Sequence, residues 1–471
     1  MKRIILIPLC IFLLQMAFGQ HNFGKVFLEF SPSGDAAANS VGQNYEGGYV
    51  MAGYSGTYPD TVKALFFRTD QVGDTLWSVR AGFGLNTYGA EIIPTPDSCF
   101  MAAGSVEGAG IFMMKLSQAG QKIWVKRYQD RAYQGVGGLI RTSDSGYLVC
   151  GRVDQSTSVL SWTAYLLNTN SQGDTLWTRL IDDGDPLTFE SATSVTETPG
   201  GHYALCGYQD NLVLQPPTTI LLAETQRNGN LLFFKTYPNV VHGQFCNASD
   251  LCCSDNGGMM VVASASDDPW GTDWKFQLLK TDQNGDTLWT RVINSATIYS
   301  IQKANSNTYV VCGTNHDPDS TAYRGYLATL DAAGNLTMEG FYGSENCCFY
   351  EVRVTGDNGY VAAGRSLSAD QKEYPCMVKT DAEGLFTGVS KAGKDQPGLI
   401  FPNPTDGMTR VTFPSGTIWF GIYNQVGKLI ISGDDPDSLP SLIDLDHQPG
   451  GCYLLKSVTV DGTVIQKIIK R

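Results

Sequence analysis

Along most of the chain, short continuously apolar runs alternate with mixed runs and polar turns, and the whole pattern recurs about every 50 residues. One apolar run is Gly48-Tyr49-Val50-Met51-Ala52-Gly53, and its counterparts stand at 100–104, 146–151, 203–207, 259–264, 309–313 and 359–364. A second run carries the sequence into a turn, as in Phe276-Gln277-Leu278-Leu279-Lys280-Thr281-Asp282. The turn leads to an alternating segment, Gly73-Asp74-Thr75-Leu76-Trp77, repeated at Gly173–Trp177 and Gly285–Trp289. Weaker copies begin at Gly120, Gly229, Gly334 and Gly384, so successive turn glycines are 47, 53, 56, 56, 49 and 50 residues apart. A weaker run, such as Ser191-Ala192-Thr193-Ser194-Val195-Thr196, precedes each glycine-tyrosine segment.

Each unit therefore predicts four short strands. The continuously apolar second strand is buried on both faces, and the alternating fourth on one. Asp-x-x-Gly at Asp70–Gly73 and Asp282–Gly285 supplies a hairpin whose glycine takes positive φ. One such sheet cannot bury both faces alone, and stacking like units radially solves the problem. The predicted fold is all-β: a seven-bladed β-propeller over 20–391, at about 53 residues per blade, then a linker at 392–398 and a small Ig-like β-sandwich over 399–471. The segment Lys25-Val26-Phe27-Leu28-Glu29-Phe30 lacks a partner in its own unit and is expected to complete the last blade. Leu385–Ser390, interrupted by Gly388, is the weaker competitor for that place.

Composition narrows the picture. Glycine occupies 52 of 471 positions, above the usual share of roughly 7%. The formal charge is -13, and no basic patch is present to meet phosphates, so nucleic acid is not an expected partner. Residues 1–19 read as a signal peptide: Lys2 and Arg3, an apolar run from Ile4 to Met16, and small residues before cleavage after Gly19. No later segment is apolar enough to span a bilayer as a helix. The mature chain is expected to leave the cytoplasm as a soluble protein, and export permits disulfides. Cys150, Cys206 and Cys312 end apolar runs and suit a core. Cys246, Cys252, Cys253, Cys347, Cys348 and Cys376 are expected near turns as disulfide candidates.

The turn-plus-tryptophan element resembles the docking motif of pyrroloquinoline-quinone-type propellers, with the acidic residue one position closer to the glycine. The likeness to the sialidase Asp-box is looser. Over residues 24–386 the repeats resemble those of secreted Bacteroidetes proteins that read "GGYxxxG…LxKTDxxGDTLW". The C-terminal series of Pro402-Asn403-Pro404, Tyr423 with Gly427-Lys428, Ile443-Asp444-Leu445, Gly451 with Tyr453, and basic Lys467 and Lys470 resembles the type A sorting domain of the type IX secretion system. That resemblance implies the type IX machinery as a partner, passage through the outer membrane, removal of the domain, and a protein that is secreted or held at the surface.

Catalytic chemistry is sparse. There is no phosphate loop, Gly-x-Ser-x-Gly elbow or His-Glu-x-x-His helix. The five histidines lack metal-ligand spacing, and the turn carboxylates offer too few oxygens for calcium. No cofactor is expected. Cys252-Cys253 invites comparison with the adjacent-cysteine disulfide of quinoprotein dehydrogenases, but a seven-unit count and a second pair at Cys347-Cys348 stand against it. Trp77, Trp124, Trp177 and Trp289 are expected between blades, whereas Trp270 and Trp274 lie off the repeat and are candidates for an exposed contact. The expected role is a binding or scaffolding module for a glycan, peptide or protein ligand. A hydrolase or quinone-dependent oxidoreductase carried on the loops is the alternative. Carboxylates or arginines converging on the central funnel favour catalysis, and a small or apolar lining favours binding.

Overall fold

The apolar rhythm becomes seven four-stranded antiparallel sheets. The computed structural model describes residues 23–31, 34–56, 61–129, 132–154, 162–185, 187–211, 218–238, 240, 245–266, 275–294, 296–316, 323–343, 346–368, 371–384, 400–401, 405–411, 413, 417–424, 428–433, 442–459 and 462–471. The first blade runs from an inner strand, Asp35–Gln43, through Tyr49–Gly56 and Lys63–Thr69 to an outer strand, Thr75–Ala81. Five blades of the same order follow, with inner strands Thr87–Pro94, Ala132–Arg141, Thr188–Glu197, Phe245–Cys253 and Ala296–Lys303. The seventh opens with Cys347–Val354. Each inner strand packs beside the next, and that of the seventh blade meets that of the first, so the chain is a closed seven-bladed β-propeller.

The core is divided among the interfaces between blades. Seven apolar clusters form, one per interface, each built from two neighbouring sheets. The second strand explains its own unbroken apolar character: Tyr49 and Met51 enter the cluster shared with blade seven, while Val50 and Ala52 enter the one shared with blade two. Cys150, Cys206 and Cys312 are fully buried in such clusters, as small apolar side chains. The outer strand Thr75–Ala81 alternates in burial, with one face open to water.

A second contact repeats with the same register. The turn glycine of each blade lies against the aromatic side chain of the preceding outer strand. A Cβ on Gly120 would come within 2.7 Å of the Trp77 ring, one on Gly173 within 2.7 Å of Trp124, and one on Gly334 within 2.6 Å of Trp289. Phe233 serves Gly285, and Met338 substitutes for an aromatic under Gly384. These glycines also need positive φ, +84° at Gly73 and +76° at Gly285. The acidic residue of the turn is engaged in the hairpin itself: Asp70 Oδ1 accepts the N–H groups of Val72 at 3.0 Å and Asp74 at 2.8 Å, and Asp282 does the same for Asn284 and Asp286.

The N-terminal segment closes the ring. Phe23–Val26 pairs antiparallel with Glu373–Thr380 as the fourth strand of blade seven. It also reproduces the outer-strand signature: Phe23 covers Gly73, and Lys25 Nζ reaches Asp74 at 2.6 Å, as Lys235 Nζ reaches Asp286 at 2.7 Å. The strand is shorter than the expected 25–30 and starts two residues earlier. Phe27 N donates to Pro375 O at 2.9 Å, but Pro375 has no N–H to return, so the ladder ends there. Leu28–Phe30 then forms a 3-10 turn that brings Phe27 and Phe30 onto Phe67. The competing segment 385–390, the leader 1–19 and the linker 392–398 lie outside the described residues.

Near the C-terminus, the sheet Leu429–Gly433, Thr417–Tyr423, Gly451–Thr459, Gly462–Lys470 and a smaller one containing Met408–Val411 and Leu442–Asp444 share a core. Val411, Phe420, Ile422, Ile443, Leu445, Tyr453, Leu455 and Ile468 fill it. Deletion of residues 21–30 is expected to lower the melting temperature of the mature protein sharply, because it opens a sheet edge and removes Phe27 and Phe30 from a core. An unchanged melting curve in calorimetry would refute closure by this strand.

Candidate functional site: the central channel

Each inner strand bulges by one residue midway, at Asn39, Ala90, Gly137, Thr193, Ser249, Tyr299 and Tyr350. A bulge turns two consecutive side chains toward the same side and bends the strand. The seven bulges therefore line one channel, whose cavity measures ≈ 950 Å³. Where the bulged residue is small, it serves the ring: Asn39 Nδ2 donates to Gly89 O at 2.9 Å, and Thr193 Oγ1 to Ala248 O at 2.8 Å, each in the following blade. Tyr299 and Tyr350 are too large for that role; they border the channel edge to face, with ring centroids 5.3 Å apart, and lie beside Cys348 and Arg365 of blade seven.

The residue after the bulge, Ser40, Glu91, Gly138, Ser194, Asp250, Ser300 or Glu351, forms a second ring. Ser40 Oγ accepts Ile92 N at 3.1 Å, Asp250 Oδ2 accepts Ile301 N at 2.9 Å, and Glu351 Oε2 accepts Val41 N at 2.6 Å. Each bond ties one blade to the next. Asp250 also accepts the hydroxyls of Ser194 at 2.6 Å and Ser300 at 2.9 Å. Two positions further along the strand, Arg353 pairs with Glu351 and, at 2.9 Å, with Glu91. Arg353 reaches blade two because blade one presents only Ser40 and Gly42 between them.

Burial, and then the neighbouring Glu351 charge, push the Glu91 carboxyl well above the ordinary carboxylate range, against the pull of Arg353. Burial disfavours the Arg353 guanidinium, but Glu351 and Glu91 outweigh it and hold the cation protonated. The other charges on the wall are matched as well. Arg227 pairs with Glu197 at 2.9 Å, and Lys303 pairs with Asp255. Carboxylates and two arginines, Arg227 and Arg353, thus do converge on the channel, while five of the seven bulge positions carry small residues.

Of the residues singled out from sequence, Cys252 and Cys253 border this channel. Trp270 and Trp274 fall outside the described residues. Trp77, Trp124, Trp177 and Trp289 are between blades. The six cysteines expected near turns sit in strands, and none of the ten described cysteines is bonded. Cys252 and Cys253 pack against different inter-blade clusters, as successive strand residues must. Sequence reasoning missed Glu91, Asp250, Tyr299, Tyr350, Glu351 and Arg353. The available signal was a row of equivalent positions, small in five units and tyrosine in two.

Of the C-terminal motif, Pro402, Asn403, Pro404 and Gly427 are outside the described residues, as is the side chain of Lys467. The remainder gathers at one end of the sandwich. Lys470, only 8% exposed, donates its ammonium to the carbonyls of Leu445, Asp446 and Gln448 at 2.6, 2.8 and 2.6 Å. Tyr453 donates its hydroxyl to Pro449 O at 2.6 Å, Gly451 lies opposite Lys470, and Tyr423 lies opposite Leu454. Asn424 Oδ1 accepts Lys428 N at 2.9 Å and closes the intervening turn.

Residues 399–471 match the family described as the secretion system C-terminal sorting domain. No curated protein matches the chain. Solved structures similar to it include a protein of unknown function from Bacteroides caccae, with 13% identity and a TM-score of 0.35 over 54% of this chain and 81% of that one. A protein of unknown function from Dyadobacter fermentans gives 12% and 0.41 over 68% and 97%. Sqt1 from Chaetomium thermophilum gives 11% and 0.45 over 96% and 99%. The sorting domain marks the protein as secreted or displayed at the cell surface. Among the described residues no helix is long and apolar enough to cross a membrane.

Glu91→Gln isolates the carboxyl with the raised pKa. A folded-state value above the unfolded one means stability is full at low pH and falls as pH rises from about 4.3 upward. The variant is expected to flatten that fall in denaturant titrations taken across pH. A slope unchanged from the parent would show that Glu91 does not titrate in this way.

Proposed function

We propose that the protein is an exported, non-catalytic binding module whose ligand enters the central channel, with residues 1–19 as leader, 20–391 as the binding body and 399–471 as the address for the type IX secretion machinery. The observation that carries this reading is the engagement of the channel's charged groups. Asp250, Glu351 and Arg353 each hold a neighbouring blade or a partner charge, so their role in the wall is structural. A nucleophile or general base needs a lone pair directed at substrate, with a second group to orient it. The small bulge residues on five blades keep the channel open to a guest.

One observation favours the alternative of a hydrolase. Glu91, whose carboxyl keeps its proton to higher pH than an ordinary carboxylate, stands beside the Glu351 carboxyl, and a pair of carboxyls is the machinery of glycoside cleavage. The two carboxyls are, however, joined through Arg353 rather than separated by room for a substrate bond. Turnover of glycoside or ester substrates by the purified mature protein, abolished in Glu91→Gln, would replace the binding reading with this one.

The motif residues at one end of the sandwich are proposed to present a fixed surface to the secretion machinery, with Lys470 holding the loop that forms it. Truncation after Gln396 is expected to leave the protein inside the cell envelope, and normal surface delivery without residues 397–471 would overturn the sorting role. Lys470→Met, which strands three carbonyls, is expected to destabilise the sandwich by about 3 kcal/mol and reduce the amount exported, as read by immunoblot of the culture fluid. Export at the parental level from a destabilised domain would detach recognition from this loop.

A further inference from the structure

Around seven blades, the sector opposite the boundary between the sixth and the seventh is the third. Tyr299 and Tyr350 stand on the sixth and seventh blades, and the third presents Gly137 and Gly138, which bring no side chain to the wall and let the strand close on the backbone of blade four at Ala192 and Ser194. The channel is therefore a slot, with two aromatic rings on one side and a flat peptide surface on the other, rather than a round tube. Its remaining lining is rich in hydroxyl and amide groups, including Thr193, Thr196, Ser249 and Gln302.

The charges of the slot are engaged internally. Glu197 and Arg227, and Glu351 and Arg353, are paired, and Lys303 is held by Asp255. Asp250 is surrounded by the hydroxyls of Ser194 and Ser300 and by backbone N–H groups. Glu91 shares Arg353 with Glu351, so every cation of the described lining already has an anionic partner. A charged ligand would have to displace a partner already in place. A neutral ligand would not.

We propose that this slot binds a neutral saccharide, a pyranose ring lying against Tyr299 and Tyr350 with its hydroxyls bonded to the hydroxyl, amide and backbone groups of the facing walls. This inference rests on the reading of the channel as the ligand site and names the class of ligand. Apolar C–H faces stack on aromatic rings, and the hydroxyl rim needs both donors and acceptors, which the wall supplies with its charges already engaged. The volume, ≈ 950 Å³, lies at the upper end of the range for small-ligand cavities, roughly 300–1,000 Å³. Because no charge pair forms on binding, affinity is independent of ionic strength.

The test uses the full mature protein on three probe sets: neutral oligosaccharides (malto-, cello-, xylo- and manno-series), oligogalacturonates, and hexalysine. Binding is measured by calorimetry from about 50 to about 500 mM salt. The expected result is binding of a neutral series, unchanged by salt and weakened about tenfold or more in Tyr299→Leu/Tyr350→Leu, which removes the flat faces while keeping apolar bulk. If that variant does not fold, Thr196→Trp, which fills the slot from the fourth blade, replaces it with the same expectation. Binding confined to oligogalacturonate or hexalysine, declining with salt and lost in the same variants, would overturn the neutral saccharide while leaving the channel as the ligand site. Probe binding untouched by either variant, or no binding to any probe, would overturn the saccharide proposal. Capture of an unrelated ligand by the parent and its loss in the variants would still preserve the channel reading.

Discussion

The stack of a turn glycine on the aromatic side chain of the preceding blade is the contact on which the ring depends. A four-stranded sheet has two apolar faces and no means of covering either alone. The glycine, lacking a side chain, lets the hairpin of one sheet sit against its neighbour's indole, phenyl ring or, at Gly384, methionine, and fixes the angle at which the two sheets meet. Once that angle is set seven times, the apolar faces close on one another and the inner strands are brought side by side. The channel is a by-product of that repetition, and its chemistry comes from residues the repetition leaves unconstrained.

The same division explains what could be read from the chain. The blade count, the two-sided second strand and the place of Trp77, Trp124, Trp177 and Trp289 between blades were legible, because each follows from the register of the repeat. The role of the N-terminal segment was legible as a missing partner, though not where it would end, since that depends on Pro375 lying opposite Phe27, about 350 residues away in sequence. The channel residues were not legible. Glu91, Asp250 and Glu351 occupy equivalent positions, but a strand bulge leaves no mark in the alternation of a short, half-polar run. Tyr299 and Tyr350 looked like ordinary strand residues until the bulge turned them inward. Cysteines beside turns in the linear order lie within strands, packed among apolar side chains, where two of the disulfide candidates, Cys347 and Cys376, bring their Sγ atoms within 3.5 Å of each other.

The join between the last and first blades is crossed by peptide at the N-terminal segment, which runs from Phe23–Val26 in blade seven to Asp35–Gln43 in blade one, and polar contacts reinforce it. Glu351 binds the backbone of blade one, and Arg353 passes over it to Glu91 of blade two. At the opposite end of the same strands, Tyr54 donates to Glu373 at 2.9 Å, and Glu373 N donates to Asp35 at 3.1 Å. These bonds add directional fixation to a join whose peptide link is the N-terminal segment alone. Nearly buried ion pairs of this kind give little net stability, so their value lies in holding register.

The first described strand of the chain is thus joined to the last strand of the ring. Phe23–Val26 has no partner until Glu373–Thr380 exists, so the wheel cannot lock before the final sector has been made. Contacts this distant in sequence form slowly. A latch made from the leading end makes closure of the whole circle conditional on every sector being in place.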